Sequence, residues 1–250
     1  MKKIFGYILV VILSVCIGCN DDDNNRLPEI KPEAEGTVKD NEGNEYGWVR
    51  YAGLDWMTSN FKAGERYYEQ KRVDDWGDLV YVVDTDREQA AMDWDNYGNM
   101  YTYEEALKNA ELLPEGWRLP TDDDWKKLEQ AMGMSESEAE ATGMRGSVEG
   151  ALLQQDATGS GMLLRLGGFA LVYGRPADVR HRHLREHGYF WTATEAVSEN
   201  DMTLAPTVYF RKVSCTTSQI ERNATKSYDT NYEGNFSKYM SVRYVRDAQD

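Results

Sequence analysis

The sequence predicts an α+β fold of many short strands, two helices and long loops. Three observations predict it. The aromatic content, 16 Tyr and 7 Trp against 6 Phe, is rich in amphipathic rings and suits a loop-rich mixed fold better than an aliphatic bundle. The apolar runs are short and bounded by Gly, Asn and Asp, the residues that punctuate strands and turns. Two segments, opening at Thr102 and Thr121, carry helix start signals. At 250 residues the chain is long enough to bury one sizeable core.

The elements follow in chain order. Met1-Lys2-Lys3 is a short positive start, and Ile4 to Ile17 is apolar, uncharged and too short to span a bilayer comfortably. This describes a signal peptide over residues 1–18. Leu13-Ser14-Val15-Cys16-Ile17-Gly18-Cys19 resembles a bacterial lipobox, although Cys16 stands where Leu is usual. The resemblance implies acylation of Cys19, a partnership with the outer membrane through that lipid anchor, and attachment without a transmembrane helix, since each buried acyl methylene contributes about 0.8 kcal/mol. Asn20-Asp21-Asp22-Asp23-Asn24-Asn25 is polar and acidic and must be solvated, so residues 19–36 read as a flexible tether ending in the Pro28 and Pro32 stretch. The Asp triplet also resembles the surface-export signal of Bacteroidetes lipoproteins, which implies display on the cell surface.

Charge and cysteine content narrow the function classes. The formal charge is −15, and removing residues 1–18 takes away Lys2 and Lys3 and no acid, giving −17. Such a surface repels phosphate backbones, which excludes nucleic acid as an electrostatic partner. Of three cysteines, the mature domain keeps Cys215 alone, so no disulfide within the domain is expected.

Within the domain, residues 37–250, Thr37–Asp40 and Glu45–Val49 flank the turn residues Asn41–Asn44 and read as a hairpin, with Leu54–Met57 as a further strand. Residues 62–100 read mostly as loop, with a strand at Leu79–Val83. Thr102-Tyr103-Glu104-Glu105 has capping-box spacing and starts a helix that Pro114 and Gly116 stop. Thr121-Asp122-Asp123-Asp124 places acids in the first turn of a second helix, with Trp125, Leu128 and Met132 on one face and Gly133 at its end. A small acidic helix follows near Ser135–Ala141. Leu163–Leu166, Phe169–Tyr173, Tyr189–Thr194, Thr207–Val213 and Met240–Arg246 read as strands, the last alternating.

Several blocks, in order, resemble the Fibrobacter succinogenes major paralogous domain family. They are Asp40 to Tyr46, Trp56-Met57-Thr58-Ser59-Asn60-Phe61, Tyr97 to Thr102, Gly116-Trp117-Arg118-Leu119-Pro120-Thr121 with Trp125, Gly167 to Leu171, Tyr189-Phe190-Trp191-Thr192, and Ser241-Val242-Arg243-Tyr244. The resemblance implies a C-type-lectin-like fold: a mixed, mostly antiparallel sheet with two helices and long loops, the chain ends together. Where that family carries two cysteines, this chain has Leu113 and Tyr244, from which we expect hydrophobic contact in place of a bridge.

Each functional reading competes with a plainer one. The Arg118-Leu119-Pro120-Thr121 stretch is similar to one in formylglycine-generating enzymes, but those act through two cysteines, so Pro120 and Thr121 read as turn and cap and Trp117 and Trp125 as core. Asp122–Asp124 reads as capping over calcium binding, and Asp93, Asp95, Asp84 and Asp86 as solvated loop over a calcium site. Cys215 reads as a small buried residue. Gly159-Ser160-Gly161 lacks the Lys and context of a phosphate loop. The basic island Arg175, Arg180, Arg182 and Arg185, with His183 and His187, reads as an exposed loop rather than a metal site, and its arginines could meet an anionic glycan.

No catalytic set, cofactor or metal emerges. The expectation is a non-enzymatic outer-membrane, surface-exposed lipoprotein that binds an extracellular glycan or protein in adhesion or nutrient capture. The alternative is a structural component of a surface assembly.

Overall fold

The computed structural model describes residues 27–64, 71–73, 79–81, 93–174, 177–196 and 205–249. Among them the strands dominate, the helices are short, and the strands pair antiparallel throughout the sheets. No described helix is long and apolar enough to cross a membrane.

The first sheet is β1 (Glu35–Lys39), β2 (Glu45–Tyr51), β3 (Leu54–Met57) and, from the other end of the chain, β14 (Val245–Asp247), in that order. The β1–β2 turn is held by Asp40, whose carboxylate accepts from the Glu42 and Asn44 amides at 3.0 and 2.9 Å and from the Tyr46 hydroxyl at 2.7 Å. Gly43 supplies the positive φ that the turn requires. The β3–β14 pairing, Trp56 opposite Val245, closes the domain by joining its ends.

A separate pair is formed by β4 (Lys71–Val73) and β5 (Leu79–Tyr81), antiparallel. The helices are α1 (Trp94–Tyr97), α2 (Tyr103–Lys108) continued by a 3-10 turn over Asn109–Leu112, α3 (Asp122–Ala131), α4 (Glu136–Glu140) and α5 (Glu149–Leu152). Helices α2, α3 and α4 each open with a full capping box, from Thr102, Thr121 and Ser135. The buried face of α3 carries Trp125 and Leu128, and Trp125 meets Trp56 edge-on at 5.0 Å. Such a pair contributes roughly 0.5–1.5 kcal/mol beyond burial alone.

The second sheet runs β6 (Gly143–Arg145), β11 (Ile220–Lys226), β10 (Thr207–Ser214), β9 (His187–Glu195), and the third runs β12 (Tyr228–Asn231), β13 (Gly234–Tyr239), β7 (Phe169–Gly174), β8 (Ala177–Arg182). The segment 240–245 ties the sheets together through bridges Met240–Tyr101, Ser241–Phe190 and Val245–Arg118.

Five expectations are corrected. Met240–Arg246 is not one alternating strand: Ser241, Val242, Arg243, Tyr244 and Val245 are all fully buried, because the segment is surrounded by protein and has no wet face. Leu163–Leu166 forms no strand; Leu163 has φ +49 and its carbonyl accepts from Arg243. Residues 27–36 are not free of the domain, since β1 begins at Glu35 and Leu27 and Ile30 already pack on the core. Arg180 to His187 is not an exposed loop, because Arg180–Arg182 ends β8 and His181 is fully buried. Cys215 is exposed rather than buried, at the turn that follows β10. Leu113 and Tyr244 are both buried in one hydrophobic cluster with Trp117 and Tyr101.

Candidate functional site

Beside the first described residues, two cavities of about 440 and 710 Å³ share Gly159 in their walls. The first lies between the β1–β2 hairpin, with Glu35, Thr37, Gly47 and Val49, and the segment carrying Ala157, Gly161 and Leu163. The second lies between the entering chain at Leu27–Ile30 and Gln155 with Thr158. Together they form an open groove.

Its far wall is rigid. Asp156 accepts from the Thr158 amide and hydroxyl at 2.9 and 2.6 Å, and the Gly159 and Gly161 amides both reach the Asp156 carbonyl at 2.9 Å. Ser160 donates to the Leu152 carbonyl at 2.5 Å and accepts, through its own carbonyl, from Tyr51 at 2.6 Å. Glycine keeps the walls close: a Cβ at Gly161, whose φ is +73, would lie 3.2 Å from Val49 Cγ1 on the opposite wall.

Beneath the wall sits Arg243, wholly buried. Its guanidinium donates to Asn60 Oδ1 at 2.6 Å and to the carbonyls of Met57, Met162 and Leu163 at 2.8, 2.9 and 2.6 Å. No carboxylate is among these partners, and burial, with a smaller push from Arg165, lowers the guanidinium to about 9. The cation holds Leu163 in its left-handed conformation on the groove wall.

The other expected motif residues also serve as joints. Asn60 donates to the Tyr97 carbonyl at 2.7 Å, and Trp191 Nε1 to the Tyr101 carbonyl at 2.8 Å. The Pro120 carbonyl accepts from Ala193 at 2.8 Å. Arg118 pairs with Asp124, and Arg246 stacks 4.9 Å from the Trp117 ring. Thr121 caps α3.

The basic island does not converge. Arg180 is engaged by Asp178 at 3.0 Å and Glu233 at 2.5 Å and lies over Tyr173. Arg182 donates to the His181 carbonyl at 2.6 Å. Arg185 is exposed on a turn with φ +68. The His183 ring stands perpendicular to that of His187 at 5.0 Å and bonds the Tyr189 hydroxyl at 2.8 Å. Burial, then His183 and Lys212, pushes His187 below its ordinary value. Arg175, Asp84, Asp86 and Cys19 lie outside the described residues. Asp93 caps α1, and among the described residues no group of three or more potential ligands is placed to hold a metal ion.

Sequence reasoning missed an ionic cluster under α3. Asp122 meets Arg211 at 2.8 Å and Arg222 at 2.7 Å, while Glu129 meets Arg211 at 2.6 Å and Arg145 at 2.8 Å. Burial alone would raise Asp122, but its two arginines outweigh that and hold it far below the usual carboxylate range. The groove was missed as well; Gly159-Ser160-Gly161, set aside as a phosphate loop, was its one local signal.

The family model of the Fibrobacter succinogenes major domain matches residues 49–246. The chain belongs to this family. No curated protein and no solved structure matches it. The Fibrobacter succinogenes major domain thus starts inside β2 and ends in β14, spanning the closing β3–β14 pair. Pro32, Glu35, Thr37 and Gly47, on the near wall of the groove, precede the matched span.

Proposed function

We propose that this protein is an outer-membrane lipoprotein, anchored by Cys19 and facing the medium, whose domain captures an extracellular ligand without transforming it. The groove at the tether entrance carries the reading: it is concave, its walls are fixed by hydrogen bonds, and no acid–base or nucleophilic pair lies in it. The apolar leader and the Gly18-Cys19 junction support the anchor, and the acidic run after Cys19 supports export to the surface. Antiparallel strands with joined chain ends support the C-type-lectin-like arrangement that the family resemblance implies. A structural role in a surface assembly is the second reading, favoured by Tyr228 and Tyr232, exposed on and beside the edge strand β12.

The test is made on whole cells. A labelled fatty acid should enter the native protein and not Cys19→Ala, and protease added outside should degrade the domain. Full protection from protease, or no label in the native protein, would overturn the placement. Binding of the full-length protein to an array of extracellular glycans and proteins tests the capture.

A further inference from the structure

The chemistry of the groove says what it holds. Neither cavity is lined by Lys, Arg or His, while Glu29 and Glu35 stand on its walls and the whole chain carries −15. Lys31, beside the second cavity, donates to the Thr158 carbonyl at 3.0 Å and pairs with Glu29 at 3.8 Å. Phosphate, sulfate and carboxylate ligands find no cation among the lining residues, a Lys31 that Glu29 already answers, and a repulsive field around the whole.

What the groove offers is uncharged. The hydroxyls of Thr37 and Thr58 and the amide of Gln155 lie beside Val49, Leu163 and Ala157. Hydroxyl and amide partners interleaved with flat apolar surface match a sugar, whose ring shows C–H faces and hydroxyl edges. Two cavities that share Gly159 and are open to solvent suit a chain of such rings rather than one enclosed molecule. An extended peptide added to β1 is disfavoured, because the Thr37 carbonyl already accepts from Trp48 Nε1 at 3.2 Å.

We infer that the groove binds an uncharged oligosaccharide, seated across Gly159 between the β1–β2 hairpin and the segment 155–163. This rests on the capture reading above and adds the ligand class and the place.

The experiment titrates the full-length protein in detergent with uncharged hexose oligomers, and in parallel with uronic acid oligomers, sulfated oligomers and an extended peptide. Two variants accompany it: Ala157→Trp, at an exposed position, fills the groove, and Thr58→Val removes one hydroxyl while keeping its shape. Uncharged oligomers should bind with little dependence on salt. Thr58→Val should weaken them about 5-fold, the worth of one net hydrogen bond, and Ala157→Trp at least about 100-fold, by exclusion from the groove. Melting temperatures report that both variants fold. Equal binding by Ala157→Trp refutes the place, and binding of only the acidic oligomers or the peptide refutes the class, while both leave ligand capture standing. A native protein that binds nothing on the array of extracellular glycans and proteins removes the capture reading itself.

Discussion

Arg243→Met tests the least expected feature of the core. The native guanidinium satisfies four acceptors, three of them in buried and one in a part-buried hydrogen bond. Methionine has similar reach and no donor, so the carbonyls of Met57, Met162 and Leu163 and the Asn60 amide oxygen lose this partner together. Each orphaned acceptor costs about 1 kcal/mol at the low end, or about 3 to 4 kcal/mol for the set. Removing the cation works the other way, since burial already pushes its pKa down to about 9 and no carboxylate answers it. The acceptors decide the sign, because they belong mostly to the backbone and stay behind. Reversible urea unfolding should therefore show a loss of about 3 to 4 kcal/mol, equivalent to roughly 6–16 °C in melting temperature for a domain of this size. Arg243→Lys, with three donors, should lose about half as much. A Met variant as stable as the parent would show that the charge outweighs its hydrogen bonds, and the account of the groove wall would fail with it.

Three further outcomes are expected. Asp122 has a folded pKa held below its unfolded value, so its contribution is present above about pH 4 and lost as pH falls further; urea midpoints between pH 3 and 7 measure it, and Asp122→Asn should flatten that slope while lowering stability at pH 7 by leaving Arg211 and Arg222 short of a counter-charge. Tyr51 and Tyr189 are raised to about 12 by burial, so their contribution is complete below about pH 10 and lost as pH climbs through 12; unfolding midpoints that stay level from pH 9 to 11.5 would refute this. Thr121→Ala removes the cap of α3 and should cost about 1 kcal/mol in the same assay.

The sequence was most legible where structure is local. Thr102, Thr121 and Ser135 each announce a helix within four residues, because a capping box needs nothing from the rest of the chain. It was least legible where charge is buried. Arginine is mostly exposed in folded proteins, so nothing local marks Arg145, Arg211, Arg222 and Arg243 as buried, and only the tertiary fold brings Asp122, Glu129 or a set of carbonyls to meet them. The same cause explains Leu163–Leu166, which is apolar enough for a strand but whose Leu163 carbonyl serves a side chain eighty residues away. Strands β11 to β13 escaped notice because Ile220–Lys226 and Tyr228–Asn231 are too polar to alternate.

That division bears on the candidate site. The residues by which the family is read, Asn60, Trp117, Trp191 and Arg243, are spent on joining segments: Asn60 and Arg243 to each other, Trp191 to Tyr101, Trp117 to Arg246. Arg243 fixes where the far wall of the groove stands, through Leu163, and all four are buried away from a ligand. The groups that face outward are Thr37, Glu35, Thr58 and Gln155, and the first two precede the matched span altogether. A chain can therefore keep every joint and exchange its ligand by altering the stretch between tether and β2. In the arrangement we propose, a bound ligand would lie against the entering chain, because Leu27–Ile30 is itself a wall of the groove. Tension on that stretch and occupancy of the groove act on one set of contacts, so a bound ligand should slow the release of Leu27 and Ile30 from the core.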